Sequence, residues 1–265
     1  MIGWWHRLLR GARRQENIPD DLWRAALARL PYAQALDAPE QARLKALVLR
    51  FLGTKTFEGA AGFVITDAVR VEIALQACLL ILNLGIDHYD GWHSVIVYPE
   101  DFEVPREYID DAGVVHQWVE AVAGESWEIG PVILSWDAAN SGDEHLNIVL
   151  HEFAHKLDML DSSANGCPPL PAGMSQAAWA QDFQAAYRQF CTALDRGLPV
   201  SFDEYAGESP AEFFAVLSEV FFLRPETIES EFPNVYGHLR AYYRQDPAKL
   251  LKRSAPASTR AQPPS

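Results

Sequence analysis

The apolar positions of this chain change period twice. Pro19 to Leu30 carries Leu22, Trp23, Ala26, Leu27 and Leu30 at helical spacing behind the acidic pair Asp20 and Asp21, and Pro31 stops it. A second helix opens near Pro39-Glu40 and presents Leu44, Leu47, Val48 and Phe51 up to Gly53. Lys55 to Ile65 has room for a short strand, and Thr66-Asp67 caps an apolar helix that runs through Leu84 and Gly85. The most apolar run, Val71 to Ile86, has 16 residues broken by Glu72, Gln76 and Asn83, short of the ~20 that would span a membrane. It reads as a buried helix.

The period then shortens. His93 to Tyr98 is a β-branched run, Val114 to Val122 has strand character, and Gly124-Glu125 reads as a turn. Trp127 to Trp136 resumes extended chain with Gly130-Pro131 inside it, which suits an edge strand because the proline has no N–H to leave unpaired. Such an edge, directly before the next helix, would let an extended peptide pair with it; the last strand of a small sheet is the equal alternative.

Helical spacing returns in Asn140 to Asp161, where Leu146, Leu150, Phe153, Leu157 and Leu160 form one stripe and Asn147, His151, His155 and Asp158 a row beside it. Histidines four apart stand one turn above each other, so His151 and His155 can reach one metal ion. Glu152 lies about 100° further round, free to take a proton from a water as general base. Asp158 reads either as an acceptor for a histidine N–H or as a solvated charge. A loop from Ser162 to Gly173 follows, and Ser175 caps a long helix through Trp179, Phe183, Tyr187, Phe190 and Leu194, its aromatic row in the core, that ends at Gly197.

Catalytic zinc takes three protein ligands. Ser209, Pro210 and Glu212 announce another helix start, with Phe213, Val216, Leu217, Val220 and Phe221 behind them. Glu212 there is equally a metal ligand or one half of a capping box with Ser209, and Glu204, Glu208, Glu219 and the other histidines stay in play.

A chain of 265 residues, 49% hydrophobic, can bury a sizeable core, and a single domain over 19–250 is expected, with an N-terminal arm at 1–18 and a disordered tail at 251–265. Twenty-two basic against 36 acidic residues leave a charge of −14, which argues against nucleic acid or anionic lipid as a partner. Cys78, Cys167 and Cys191 form neither a disulfide framework nor a metal-ligand spacing, so a reducing compartment is expected. The first residues, MIGWWHRLLRGARR, lack the apolar core and cleavage site of a signal peptide.

HEFAHKLDMLD, with SPAEFFAVLSEVFF downstream and GPVILSWD and SVIVYP upstream, resembles the Mlc titration factor A family, over about Leu22 to Tyr243. The resemblance implies an α+β, mostly helical zincin-like domain with a small mixed sheet whose edge strand precedes the zinc-binding helix. It implies one Zn2+ on His151, His155 and Glu212, with Glu152 as base. Through a catalytic domain similar to that of anthrax lethal factor, it also implies Tyr205, seven before Glu212, as a transition-state donor. A cytoplasmic, monomeric aminopeptidase on short peptides is the expected function, with a second role in binding the repressor Mlc. The competing reading is a non-catalytic regulatory protein whose zinc is structural. For an aminopeptidase, an acidic residue must recognise the substrate amine, and Glu204 and Glu208 are candidates.

Overall fold

The computed structural model describes residues 17–109, 115–127, 129–142, 146–161 and 163–254, with backbone alone at 104–109 and 115–121. Most of the expected arm and tail therefore lies outside the described residues, although Ile18 is fully buried and the last helix continues to Ser254. Helices α1 (Asp20–Ala28), α2 (Pro31–Ala35), α3 (Ala38–Thr54) and α4 (Asp67–Leu80) flank strand β1 (Thr56–Gly59). Asp37 and Glu40 form a capping box at the start of α3, and the Thr66 hydroxyl accepts from Val69 N–H at the start of α4. Pro31 opens α2 as its first residue, where a missing N–H costs nothing.

Strands β2 (Ser94–Tyr98), β3 (Phe102–Ile109), β4 (Val115–Val122), β5 (Gly124–Ser126) and β6 (Val132–Ser135) follow. β3 and β4 make an antiparallel hairpin, while the main sheet has the order β1-β2-β6-β5. Its first three strands are parallel, and β5 closes it antiparallel. The mixed sheet has the expected edge strand ahead of the histidine helix, one strand earlier than expected. Val132–Ser135 is interior, paired on both sides, and Gly124-Glu125 is no turn but part of the edge strand itself. Pro131 stands just before β6 and so removes no ladder bond.

The remaining helices are α5 (Trp136–Asn140), α6 (Ile148–Asp158), α7 (Gln176–Asp195), α8 (Pro210–Leu223), α9 (Pro225–Glu231), α10 (Pro233–Tyr243) and α11 (Pro247–Ser254). The histidine helix is shorter than the apolar spacing predicts. Gly142 at φ +69 follows α5, and the Asn147 side chain accepts from Leu150 N–H to start α6, so Asn147 is a cap and Leu146 precedes the helix. Leu160 falls in a 3-10 turn and is 40% exposed.

α6 is buried on all sides. Leu150, Phe153 and Leu157 are fully buried, and Phe153 packs against Phe51, Tyr89 and Trp92 with ring centroids 5.3 to 5.7 Å away. Truncating such a ring costs about 3–5 kcal/mol, so this cluster anchors the helix. The opposite side is covered by α8. A second aromatic cluster, Trp179 and Phe183 stacked 4.2 Å apart with Phe214 and Tyr242 beside Trp179, holds α7 and α10 against α8. Among the described residues, no helix is long and apolar enough to cross a membrane.

Candidate active site

Where α6 crosses α8, three side-chain atoms converge. His151 Nε2 stands 3.0 Å from Glu212 Oε2, His155 Nε2 stands 3.1 Å from the same oxygen, and the two ring nitrogens are 3.1 Å apart. Bonds of about 2.0–2.2 Å to a tetrahedral zinc put its ligand atoms about 3.3 Å apart, so this triangle is close to one face of such a site. Ser209 caps α8 by accepting from Glu212 N–H, but no reciprocal bond from the Glu212 carboxylate forms. That carboxylate turns to the histidines instead.

The partners of His151 set its tautomer. Glu219, two turns along α8 from Glu212, places Oε1 2.6 Å from His151 Nδ1 and accepts the Asn147 N–H on Oε2 at 2.6 Å. With the Nδ1 proton donated to Glu219, Nε2 offers a lone pair into a space already faced by a second imidazole and a carboxylate. Lone pairs so arranged repel unless a cation lies among them, and the donor set of two imidazoles and one carboxylate fits zinc. The same converging groups also attract a proton. Burial disfavours a charged His151, yet its bonds to Glu212 and Glu219 outweigh burial and hold its pKa well above the ordinary value. Burial also works against the Glu212 carboxylate, and the two histidines hold it far below the usual carboxylate range. The cluster calls for positive charge.

Glu152 is 3% exposed, lines the same cavity as this triangle, and lays its carboxylate against β5 at Gly124. Burial raises its pKa, with partial compensation from the two histidines, and its Oε2 has no hydrogen-bond partner among the described residues. Tyr205, on a 3-10 turn at Glu204–Gly207, is 47% exposed with its ring centroid 6.1 Å from that of His151. Asp203 caps that turn. All these residues line one cavity of about 400 Å³ with Gly124, Glu125 and Ser126. Glu204 and Glu208 do not line it, because the turn directs them outward, whereas Asp203 and Glu125 do.

Asp158 meets neither expectation. It is fully buried, not solvated, and its Oδ2 accepts the Gly166 N–H at 2.7 Å, which ties the loop after α6 to that helix. The histidine acceptor is Glu219. Its signal was legible: a glutamate seven residues after Glu212 in an otherwise apolar, buried helix must find a partner on the same face.

The helical scaffold, the converging donor set and an edge strand beside it are what a metal-dependent peptidase needs, and the comparisons with known proteins give the family. Residues 3–244 match the model of the glucose-regulated metallo-peptidase M90 family, and the chain belongs to that family. It is 41% identical over 236 residues, 87% of each chain, to proteins named Mlc titration factor A from Yersinia pestis and Yersinia pseudotuberculosis.

Proposed function

We propose that the protein is a zinc-dependent peptidase acting on short peptides as an aminopeptidase, with His151, His155 and Glu212 holding the ion and Glu152 as base. The observation that carries this reading is the triangle of His151 Nε2, His155 Nε2 and Glu212 Oε2, with sides of 3.0 to 3.1 Å, beside a buried carboxylate and an open strand. When bound there, zinc supplies Lewis acidity, bringing the pKa of water toward ~7 and polarising a carbonyl.

The chain's own residues supply the rest. Ser135 N–H donates to Ala123 O across β5 and β6, so in the antiparallel alternation Gly124 and Ser126 direct their N–H and C=O groups to the open edge. An extended substrate pairs with them. Glu152 accepts the proton of the attacking water on its carboxylate and returns it to the departing nitrogen. Tyr205 donates its hydroxyl to the developing oxyanion, and Glu219 keeps His151 in the tautomer that leaves Nε2 unprotonated. Asp203, on the cavity wall, binds the substrate's α-ammonium group.

The test is metal content together with hydrolysis of aminoacyl anilides. Wild-type protein purified without added metal should hold one zinc per chain, Glu212→Ala should lose it while staying folded, and Glu152→Gln should keep it and lose about 10²–10⁴ in kcat. A Glu152→Gln enzyme of undiminished rate would remove the base assignment. The name of the Yersinia relatives supports a second role, binding of the repressor Mlc. That role would use an outer surface, and it would survive in Glu152→Gln.

A further inference from the structure

Gly124 sits on the edge strand where β5 passes over the candidate base. Its φ is not positive, unlike that of seven other glycines among the described residues, so its backbone conformation is open to any residue. What demands glycine is a contact. A Cβ built on Gly124 would lie 2.5 Å from Glu152 Oε1, 2.7 Å from its Cγ and 2.8 Å from its Cδ. All three atoms belong to one side chain, two of them to its carboxylate and one, Cγ, to its stem.

Neither partner can give way as a body. The Ser126 hydroxyl donates to Glu152 O at 2.8 Å and ties β5 to α6, while Phe153, the next residue, is locked in the aromatic cluster. Leu134 pairs with Gly124 from the interior strand. A methyl group at 124 would therefore be accommodated by swinging the carboxylate away.

We infer that Gly124 is a positioning residue for Glu152 and sets the register between a bound peptide and the base. The carboxylate rests beneath the Gly124 Cα while the N–H and C=O of the same residue face the open edge. The peptide unit that pairs with Gly124 is thus the one within reach of Glu152. The catalytic part of this inference rests on the peptidase reading above; the packing part does not.

The experiment is a double-mutant cycle of Gly124→Ala with Glu152→Ala in the full, zinc-loaded chain, read by thermal unfolding, zinc content and kinetics. Gly124→Ala alone should keep one zinc, change KM little and lower kcat roughly 100-fold, the scale of a misplaced group about 1 Å out of line. It should lower Tm in the wild-type background and leave Tm unchanged in Glu152→Ala, where the methyl group has room. If the single variant fails to fold while the double variant folds, the contact is established by that route. An equal loss of Tm in both backgrounds would overturn the packing claim. Wild-type kcat in Gly124→Ala would overturn the positioning claim. Coupled Tm values in a protein that hydrolyses nothing would leave the contact standing and discard the peptidase reading instead.

Discussion

Glu219 Oε1 stands 2.6 Å from His151 Nδ1, and the other oxygen of that carboxylate accepts the Asn147 N–H that precedes the same helix. One buried side chain on α8 therefore fixes both the ring and the start of α6. Glu219→Gln keeps the volume but cannot accept with both ends, since its amide nitrogen meets a donor. Zinc affinity, read by competition with a chromogenic chelator, should fall about 10–100-fold with the fold retained. Affinity equal to wild type would mean that something else orients His151.

Tyr205 leans over the site with its ring 6.1 Å from that of His151 and nearly half of its surface open to solvent. Removing only the hydroxyl tests its role as a donor to charge that develops late. Tyr205→Phe should lower kcat by about 10²–10³ while leaving zinc content and Tm at wild-type values. A rate within about two-fold of wild type would take Tyr205 out of the mechanism.

Asp203 is exposed on the cavity wall, and its Oδ1 already accepts the Tyr205 N–H. If the second oxygen meets a substrate α-ammonium group, Asp203→Asn should raise KM for peptides with a free N-terminus by about ten-fold or more, and leave N-acetylated peptides untouched. Equal losses on both substrates would assign Asp203 to holding the turn alone.

Lys55 is 6% exposed, donates to Tyr89 O and to Trp92 O, and lies 3.9 Å from the centre of the Trp92 ring. Burial lowers its pKa from 10.5 to about 8, with Asp90 partly opposing. Between those two values the unfolded chain binds the proton and the folded chain does not, so the contribution of this group to stability increases as pH rises through the window. Denaturant unfolding of wild type and Lys55→Met at about pH 7.5 and about pH 10 should show wild type gaining on the variant. A gap that stays constant or moves the other way would contradict the burial cost.

Much of the architecture was legible because it is written in local pattern. Asp37, Thr66, Ser175 and Ser209 each announced a helix start or stood beside one, and each side chain accepts a bond from the first turn. The errors arose where a strand's place in the sheet depends on chain outside the strand itself. Gly124-Glu125 has the composition of a turn, yet β6 pairs with it; Trp127 to Trp136 looks like an edge because of Pro131, yet β2 and β5 cover β6 on both sides. Hydrogen-bond partners of a strand are not encoded in its own residues.

By itself the sequence determined that His151 and His155 share one face of a helix, since a 3.6-residue period brings positions four apart together whatever surrounds them. It determined as well that Glu212 begins a helix. Which way the Glu212 carboxylate turns, that Glu219 rather than Asp158 holds His151, and that Gly124 must lack a side chain were decided only when α8 and β5 packed on α6. Those relations depend on contacts between segments tens of residues apart, and only the burial of a common core brings such segments within bonding distance.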